Sequence, residues 1–506
     1  MTKHLELEWH GYKYFPYERD LAVREVTTLF SPVKMEEREN SLSIHGDFDP
    51  TLVARLTYFS SGKSARRIYP TQQFLLESTG TIENGNASRR QNTRYSVHGI
   101  HEYKGKFNPQ VVRGILNLLH ITARNKVLDP FCGSGTVLVE CAHLGIRADG
   151  QDLNPLAVFV ANAKLIALSN PAADIERTSH SVMRAYASCR PRQSSSDSIA
   201  ERTQYLQRWF DEPILDEIER LRAAILSKSG TFAPIFLCVA SNLLRDYSLQ
   251  EPSDLRIRRR FSAMPSTPFL SAYQERLQGL IRQLHAVQQI IGVRDHQCTV
   301  QLADSREVPD RTPSSPEMYD AAITSPPYAT ALPYIDTQRL SLVWLNLSSP
   351  KDLREHESAL IGNREVTTAT ARSSMFEAMV VNDALLPDSV HQFCIDLQSK
   401  MKATDGFRRQ AVPLLIYRYL ADMKGMFRAV SERVRVGGTY ALVVGRNHTM
   451  IGGTRTAIET PELLVEVAAR SGWSCAEIID LQTYHRYGLN RNNAVAEEAL
   501  LILKRK

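Results

Sequence analysis

The chain has 506 residues, of which 43% are hydrophobic and 23% are charged. This balance is typical of a folded globular protein and excludes the disordered and fibrous classes. The net charge of +6 is a mild excess over such a length, so by itself it selects no class of partner. Because the chain is longer than one ordinary domain, we expect a main domain with one or two further folded regions.

Apolar runs and cysteine spacing bear on location and on metal binding. The longest apolar runs, such as 232–244, are interrupted by polar residues and fall short of the roughly 20 residues that span a bilayer. The N-terminus, MTKHLELEWHGYKYF, lacks a secretory signal, so we predict a cytoplasmic protein without a membrane segment. The seven cysteines lack the close pairs of a zinc site, and we predict reduced thiols and no metal.

Residues 1–94 mix short strand-like and helix-like segments without a chemical motif, so we assign them as an N-terminal accessory region. A helix is predicted shortly afterwards, over Pro109–His120. A strand at Lys126–Phe131, a helix at Gly135–Leu144 and a strand at Ile146–Asp152 then follow in the order of a parallel βαβ unit. This order is typical of a doubly wound α/β sheet.

Mostly helical sequence interrupts this pattern over residues 171–297. Long amphipathic stretches are predicted as helices at Thr203–Ser227 and Ser271–Ile291. We interpret this region as a helical insertion. The main domain then consists of residues 95–170 and 298–506.

Strand patterns resume after the helical insertion, so we expect the sheet to continue. A second stretch of polar and helical sequence, Pro350–Arg408, indicates another insertion beside the sheet. The predicted elements of this half are strands at Thr299–Ala303, Asp320–Ile323, Thr439–Val444 and Glu498–Leu503, and a helix at Met423–Val434. The predicted class is α/β, with a doubly wound, mostly parallel sheet.

A glycine-containing loop follows the first strand of the βαβ unit. The segment Val127–Thr136 reads VLDPFCGSGT and places Gly133 and Gly135 at the strand end, where the polar part of a cofactor can approach the backbone. Tight turns need glycine for steric reasons alone, so the loop is not specific by itself. Asp152 ends the next strand about 20 residues on, where a carboxylate binds ribose hydroxyls or caps a helix. Together the two features favour a nucleoside cofactor.

The sequence TSPPY, Thr324–Tyr328, follows a later strand. Two successive prolines fix the backbone and remove both amide hydrogens, which leaves a rigid rim of carbonyl acceptors. The amino group of a base would donate its hydrogens to Ser325 and to the Pro326 carbonyl, and Tyr328 would stack on the base. The alternative is a plain proline loop with a buried tyrosine.

Taken together, the glycine loop, Asp152 and the SPPY sequence resemble the S-adenosylmethionine-dependent amino-methyltransferases of DNA. The resemblance covers about Tyr95–Leu165 and Cys298–Leu345. It implies a Rossmann-like class I methyltransferase fold and S-adenosyl-L-methionine as cofactor. The cofactor-binding residues it implies are Lys106, Phe107, Asp129, Pro130, Phe131, Gly133, Gly135, Thr136, Asp152 and Asp304, and the catalytic residues are Ser325, Pro326, Pro327 and Tyr328.

The residue before the two prolines bears on the acceptor. In the family that this chain resembles, serine there is typical of enzymes for cytosine N4, and aspartate or asparagine is typical of enzymes for adenine N6. The resemblance therefore favours cytosine N4 and keeps adenine N6 as an alternative. Carbon-5 methylation needs a cysteine nucleophile, usually in a Pro-Cys pair, and the chain has no such pair. An RNA base methyltransferase of the tRNA type and a non-catalytic DNA-binding subunit remain alternatives.

A dense basic cluster lies within the helical insertion. It consists of Arg256, Arg258, Arg259 and Arg260, and a solvated surface is the alternative to a binding role. Because the family's recognition domain can lie between the two halves, we predict that these arginines contact DNA phosphates. The Pro350–Arg408 insertion is the rival location. DNA is the predicted partner, a cognate restriction endonuclease is a further candidate, and the sequence does not give the oligomeric state.

Overall fold

The computed structural model contains a five-stranded sheet, a seven-stranded sheet and a two-stranded hairpin. It describes residues 3–80, 91–188, 197–254, 257–295, 297–307, 318–329, 334–364, 368–402, 404–482 and 497–506. Arg256, one of the predicted DNA contacts, lies outside the described residues.

The N-terminal region forms an antiparallel sheet with strand order β2-β3-β1-β4-β5. Its first strand alternates buried Leu5 and Leu7 with more exposed residues, so one face of the sheet packs on the core. The elements of this region are β1 (Lys3–Trp9), α1 (Pro16–Phe30), β2 (Lys34–Glu37), β3 (Ser41–Gly46), a 3-10 turn (Pro50–Arg55), β4 (Phe59–Ser64), β5 (Arg67–Pro70) and α2 (Gln72–Glu77).

The remaining strands are β6 (Lys126–Asp129), β7 (Arg147–Asp152), β8 (Cys298–Leu302), β9 (Tyr319–Thr324), β10 (Val434–Gly445), β11 (Asn447–Ile451), β12 (Thr454–Ile458), β13 (Trp473–Gln482) and β14 (Glu497–Arg505). Seven of them form the large sheet in the order β13-β14-β10-β9-β6-β7-β8. β14 is antiparallel to both neighbours, and the other pairs are parallel. The predicted fold class, a Rossmann-like class I methyltransferase fold, is confirmed.

The remaining helices are α3 (Pro109–Leu118), α4 (Thr136–Leu144), α5 (Pro155–Ser169), α6 (Ala172–Ser188), α7 (Asp197–Gln207), α8 (Glu212–Lys228), α9 (Ala233–Leu243), α10 (Phe269–Ile291), α11 (Tyr334–Trp344), α12 (Leu353–Ala359), α13 (Ala369–Val380), α14 (Asp388–Ser399), α15 (Phe407–Gln410), α16 (Val412–Ser431) and α17 (Thr460–Ala469). The region predicted as a helical insertion contains α6 to α10. The second predicted insertion contains α12 to α14 and the start of α15.

Two predicted helices differ most from the structure. The helix predicted over Thr203–Ser227 is two helices, because Pro213 fits the first turn of α8 but would clash in a helix interior. The helix predicted to reach Val434 ends at Ser431, and β10 starts at Val434 with a shift in register before Thr439.

One continuous apolar core joins the N-terminal sheet to the large sheet, since it contains both Leu5 and Val127. A buried polar contact adds to this junction. Glu25 on α1 accepts hydrogen bonds from the Thr57 hydroxyl at 2.6 Å and from the Asn117 amide on α3. Burial raises the pKa of Glu25 to about 7. The N-terminal region is therefore packed against the methyltransferase fold through α3.

Within the described ranges, no single helix has the length and apolar composition needed to cross a membrane. The pair α5 and α6 passes that test together, but it is bent by 117°.

Candidate active site

The glycine loop, residues 130–135, turns the chain from β6 into α4. Gly133 and Gly135 have φ values of +49° and +79°, in the left-handed region that favours glycine. A Cβ on Gly135 would lie 2.8 Å from the Cβ of Ala161, so α5 leaves no room for a side chain there. The sequence pattern therefore reflects both backbone conformation and close packing.

Asp152 connects the glycine loop to the start of α5. Its Oδ2 accepts a hydrogen bond from the Gly133 amide at 2.9 Å, and its Oδ1 accepts one from the Asn154 amide at 2.8 Å. Burial raises the pKa of Asp152 to about 6. A carboxylate has about four acceptor positions, and the amides of Gly133, Leu153 and Asn154 account for three, so ribose binding by Asp152 stays a compatible prediction.

Lys164 on α5 holds the glycine loop from beneath. The side chain is fully buried, and its Nζ donates a hydrogen bond to the Ser134 carbonyl at 2.6 Å. Burial lowers the pKa of Lys164 to about 8. No local motif in the sequence marks Lys164 as a site residue, because it is a single lysine within an apolar helix.

A hydrogen bond joins the glycine loop to the loop after β9. The Thr324 hydroxyl, at the end of β9, donates to Asp129 Oδ1 at 2.7 Å, and that oxygen also accepts from the Phe131 amide. β6 and β9 are parallel neighbours, so their carboxyl ends meet at one edge of the sheet. Burial raises the pKa of Asp129 to about 7. Two segments that are far apart in sequence are thus fixed side by side.

A cleft opens between these two loops. Its wall contains seven of the predicted site residues, namely Lys106, Phe107, Asp129, Phe131, Gly133, Thr136 and Ser325. Four residues without a predicted role, Tyr103, Gly105, Cys132 and Ser134, complete the wall. The structure therefore brings Ser325 of the SPPY sequence to the same cleft as the glycine loop.

The SPPY sequence forms the acceptor loop, residues 325–328. Ser325 and Tyr328 are half-buried, and Pro326 is buried. The Tyr328 hydroxyl donates to Glu498 on β14 at 2.5 Å. This contact fixes Tyr328 at the carboxyl edge of the sheet, where Glu498 pairs with Gly445. The catalytic roles of Ser325, Pro326, Pro327 and Tyr328 stay predictions.

Asp304 follows β8 and makes its main contacts with Arg306. The guanidinium donates to both carboxylate oxygens of Asp304 and, through Nη1, to Asp422 at 2.8 Å. Burial raises the pKa of Asp304, but the hydrogen bonds from Arg306 outweigh it and hold that pKa below its usual value. A contact from Asp304 to the adenine of a cofactor would therefore use the acceptor positions that Arg306 leaves.

Lys106 supports the segment that precedes α3. Its Nζ donates to the carbonyls of Thr93 at 2.9 Å and of His98 at 3.2 Å. Burial lowers the pKa of Lys106 well below its usual value. The residue lies on the cleft wall, as the resemblance implies, but its ammonium group is bonded to the backbone.

Tyr103 and Asn154 also position the site and had no predicted role. The Asn154 side chain caps α5 by accepting from the Leu156 amide, and it donates to Gln338 on α11 at 2.7 Å. It lies 3.4 Å from the Tyr103 hydroxyl. The Asn-Pro pair after Asp152 carried a signal for the cap. The link to α11 follows only from the fold.

The arginines of the helical insertion differ in their contacts. The Arg258 side chain is 64% exposed and pairs with Asp254 at 3.3 Å, while the Arg259 guanidinium lies 5.0 Å from the centre of the Trp209 ring. The Arg260 guanidinium donates to the backbone carbonyls of Arg245, Asp246, Ser248 and Ala263. Arg260 therefore stabilises its own loop. DNA contact by the cluster stays a prediction.

A buried cluster formed by two residues of α4 and one neighbouring histidine has the composition of a metal site. The possible ligand atoms of His98, Glu140 and His143 all lie within 4.8 Å of one another. Both imidazoles hydrogen-bond to Glu140, and Arg113 donates to it at 2.8 Å. Burial raises the pKa of Glu140, but Arg113 and the imidazoles hold it well below its usual value. We therefore interpret the cluster as a hydrogen-bond network around an ionised carboxylate.

The cleft fits a nucleoside cofactor with a polar tail. The Ser134 hydroxyl is buried beside the glycine loop and has no hydrogen-bond partner in the described part of the chain. Buried polar groups normally have a partner, which a ligand in the cleft would supply. The position of a Cβ on Gly133 lies 3.4 Å from the Tyr103 ring, so glycine keeps this part of the cleft open.

A comparison with protein families matches the part of the chain that contains the glycine loop and Asp152. Residues 100–187 match the family UPF0020, described as an RMKL-like methyltransferase domain. The chain is 45% identical to Type II methyltransferase M.MjaII of Methanocaldococcus jannaschii over 78 residues, 15% of this chain and 14% of that protein. It is 23% identical to Type II methyltransferase M.MvaI of Kocuria varians over 347 residues, 62% of this chain and 74% of that protein.

A third similarity is to an RNA enzyme. The chain is 38% identical to a tRNA (guanine(10)-N2)-dimethyltransferase of Methanothermobacter thermautotrophicus over 52 residues, 10% of this chain and 16% of that protein. These matches, with the fold, support a methyltransferase. Methyltransferases of this family imply S-adenosylmethionine as the methyl donor.

Proposed function

We propose that this protein transfers a methyl group from S-adenosylmethionine to an exocyclic amino group of a base in DNA, with cytosine N4 as the favoured acceptor. One observation carries the proposal. Ser325 of the acceptor loop lies on the wall of the cleft that the glycine loop forms, and the Thr324–Asp129 hydrogen bond of 2.7 Å joins the two loops at their base. Methyl transfer requires donor and acceptor sites to meet in this way.

Different residues of the cleft would bind the methyl donor and the acceptor base. S-adenosylmethionine, when bound, supplies a methyl group on a positively charged sulfur. Asp152 would bind the ribose hydroxyls, and the backbone around Gly133 would bind the methionine part. Ser325 and the Pro326 carbonyl would accept the amino hydrogens of the base, which orients the nitrogen lone pair. Tyr328 would stack on the ring of the extruded base.

Three observations favour DNA and cytosine N4. The match to M.MvaI extends over 62% of this chain, whereas the match to the tRNA enzyme extends over 10%. Three relatives carry the name Type II methyltransferase, which supports a DNA acceptor. Ser325 before the two prolines is the feature of the resemblance that favours cytosine N4 over adenine N6.

The decisive experiment supplies labelled S-adenosylmethionine with unmethylated amplified genomic DNA in one reaction and with total RNA in another. Nucleoside analysis should identify N4-methyldeoxycytidine in the DNA. N6-methyldeoxyadenosine would change the acceptor, and methylated ribonucleosides alone would replace DNA by RNA. Binding of S-adenosylmethionine without transfer to either substrate would indicate the non-catalytic alternative. Asp152→Ala serves as the inactive control.

A further inference from the structure

A hairpin in the helical insertion holds an aromatic ring in solvent. In this arginine hairpin, residues 249–254 and 257–262, the Arg260 amide donates to the Leu249 carbonyl at 2.8 Å and the Glu251 amide donates to the Arg258 carbonyl at 2.9 Å. Phe261 follows the paired segment and is 76% exposed. Its position is set by the backbone pairing and not by burial of its ring.

Glu251 fixes the backbone at Phe261. Its Oε2 accepts hydrogen bonds from the amides of Phe261 at 3.3 Å and Ser262 at 3.2 Å. Arg260 adds its bonds to the surrounding carbonyls. The ring of Phe261 is therefore presented from a fixed backbone, which lowers the ordering cost of a contact made through it.

Two arginines, Arg258 and Arg259, precede Phe261 on the same strand of the hairpin. Arg258 is exposed, and Arg259 is aligned by its contact with Trp209. The carboxylate of Glu251 accepts hydrogen bonds from backbone amides and from Ser253, which hold it within the hairpin. An exposed aromatic ring with flanking arginines has the composition that recognises nucleic acid, since phosphates bind the cations and bases stack on the ring.

The hairpin is connected to the rim of the cleft through the segment that follows α9, since Arg260 donates to the carbonyls of Asp246 and Ser248. At the end of α9, the Asn242 side chain accepts a hydrogen bond from the Glu102 amide at 2.7 Å, and the Ser241 hydroxyl lies 3.3 Å from the His101 ring nitrogen. The next residue, Tyr103, lines the cleft. These contacts connect the hairpin to the cleft rim through α9, and they are the basis for expecting a nucleic acid bound at the cleft to reach the hairpin.

We propose that Phe261 is a wedge residue, which enters the base stack of duplex DNA beside the base that turns into the cleft. Extrusion of a base removes its stacking contacts, and an inserted aromatic ring replaces part of them. Arg258 and Arg259 contact the neighbouring phosphates. The inference rests on the proposed function and adds to it the residue that opens the duplex.

The test compares duplex amplified genomic DNA with the same DNA after heat denaturation. Phe261→Ala should lower the rate of methyl transfer to duplex DNA about 10-fold or more, because the lost stacking is no longer replaced. Denatured DNA, whose bases need little unstacking, should be methylated at the wild-type rate. Phe261→Trp should restore the duplex rate, and unchanged binding of S-adenosylmethionine by Phe261→Ala should confirm that the variant is folded.

Phe407 in the second insertion supplies a matched control. It is 68% exposed, and the Arg372 guanidinium lies 5.3 Å from the centre of its ring. Phe407→Ala should leave the ratio of duplex to denatured rates unchanged. An unchanged ratio in Phe261→Ala, including an equal fall on both substrates, would overturn the wedge role. Wild-type transfer to RNA alone would overturn the proposed function, a result that needs no variant.

Discussion

The glycine loop and the acceptor loop face the same cleft but are held in different ways. The glycine loop is fixed by Lys164 at the Ser134 carbonyl, by Asp152 at the Gly133 amide and by packing of Gly135 on α5. Among the described contacts, the acceptor loop is fixed at its two ends, by Thr324 on Asp129 and by Tyr328 on Glu498.

The described contacts within the protein therefore fix the glycine loop along its length and the acceptor loop at its ends. The glycine loop, on the donor side, is held by buried contacts within the protein. The acceptor side presents Ser325 between two anchored ends, where a base would complete the set of hydrogen bonds. Substitutions in the glycine loop should therefore change cofactor affinity, whereas substitutions in the acceptor loop should change turnover.

The largest effect is expected for Asp152→Ala. The variant loses the acceptor for the Gly133 and Asn154 amides and for the ribose, so affinity for S-adenosylmethionine should fall about 100-fold. Calorimetry measures this change, with Asp152→Asn as the matched variant that keeps one acceptor oxygen. Because burial raises the pKa of Asp152 to about 6, wild-type affinity should also weaken as the pH falls through about 6. Unchanged affinity in Asp152→Ala would remove the residue from the cofactor site.

Tyr328→Ala should next lower turnover by about 10- to 100-fold, because the extruded base loses a stacking partner worth roughly 1–3 kcal/mol. Binding of S-adenosylmethionine should persist, which distinguishes this variant from Asp152→Ala. Tyr328→Phe keeps the ring and loses the hydrogen bond to Glu498, so its turnover should stay near the wild-type value. Normal methylation by the alanine variant would contradict the assignment of the acceptor loop.

A smaller effect is expected for Ser325→Ala. Loss of one hydrogen bond to the amino group should lower kcat about 10-fold and leave the KM for DNA nearly unchanged. Steady-state kinetics on amplified genomic DNA would separate the two constants. A rise in KM at constant kcat would assign Ser325 to binding and not to the orientation of the amino group.

The last prediction concerns the free energy of unfolding and not the rate of methylation. It tests whether Lys164, which contacts the glycine loop, is a buried ammonium group. Burial lowers the pKa of Lys164 to about 8 in the folded protein, below its value in the unfolded chain. Above pH 8 the unfolded chain therefore binds more protons than the folded protein. Folded stability should therefore rise, by about 2 kcal/mol between pH 7 and pH 10, relative to the Lys164→Met variant. Denaturant unfolding of both proteins at each pH measures the difference. If the free energies of unfolding of the two proteins change with pH in parallel, Lys164 does not titrate near pH 8 in the folded protein.

Local patterns predicted the elements of the cofactor half well. β6, α4 and β7 follow the predicted order because each is coded by short-range periodicity and by the glycines between them. The same reasoning joined two helices across Pro213 and missed β13, which pairs antiparallel to β14. β13 is buried at only three positions, Trp473, Ile479 and Leu481, so it carries little of the alternating pattern that marks a strand.

The residues of the candidate site also fall into those that a local sequence pattern marks and those that no local pattern marks. Gly133, Gly135 and Asp152 were recognisable because a tight turn and a strand end restrict which residues fit there. Lys164 and the Thr324–Asp129 hydrogen bond were not, since each joins segments that meet only when the sheet forms. The direction of Arg260 toward its own loop is likewise set by packing. Sequence determines residue type and local geometry, whereas the fold decides which buried groups become partners.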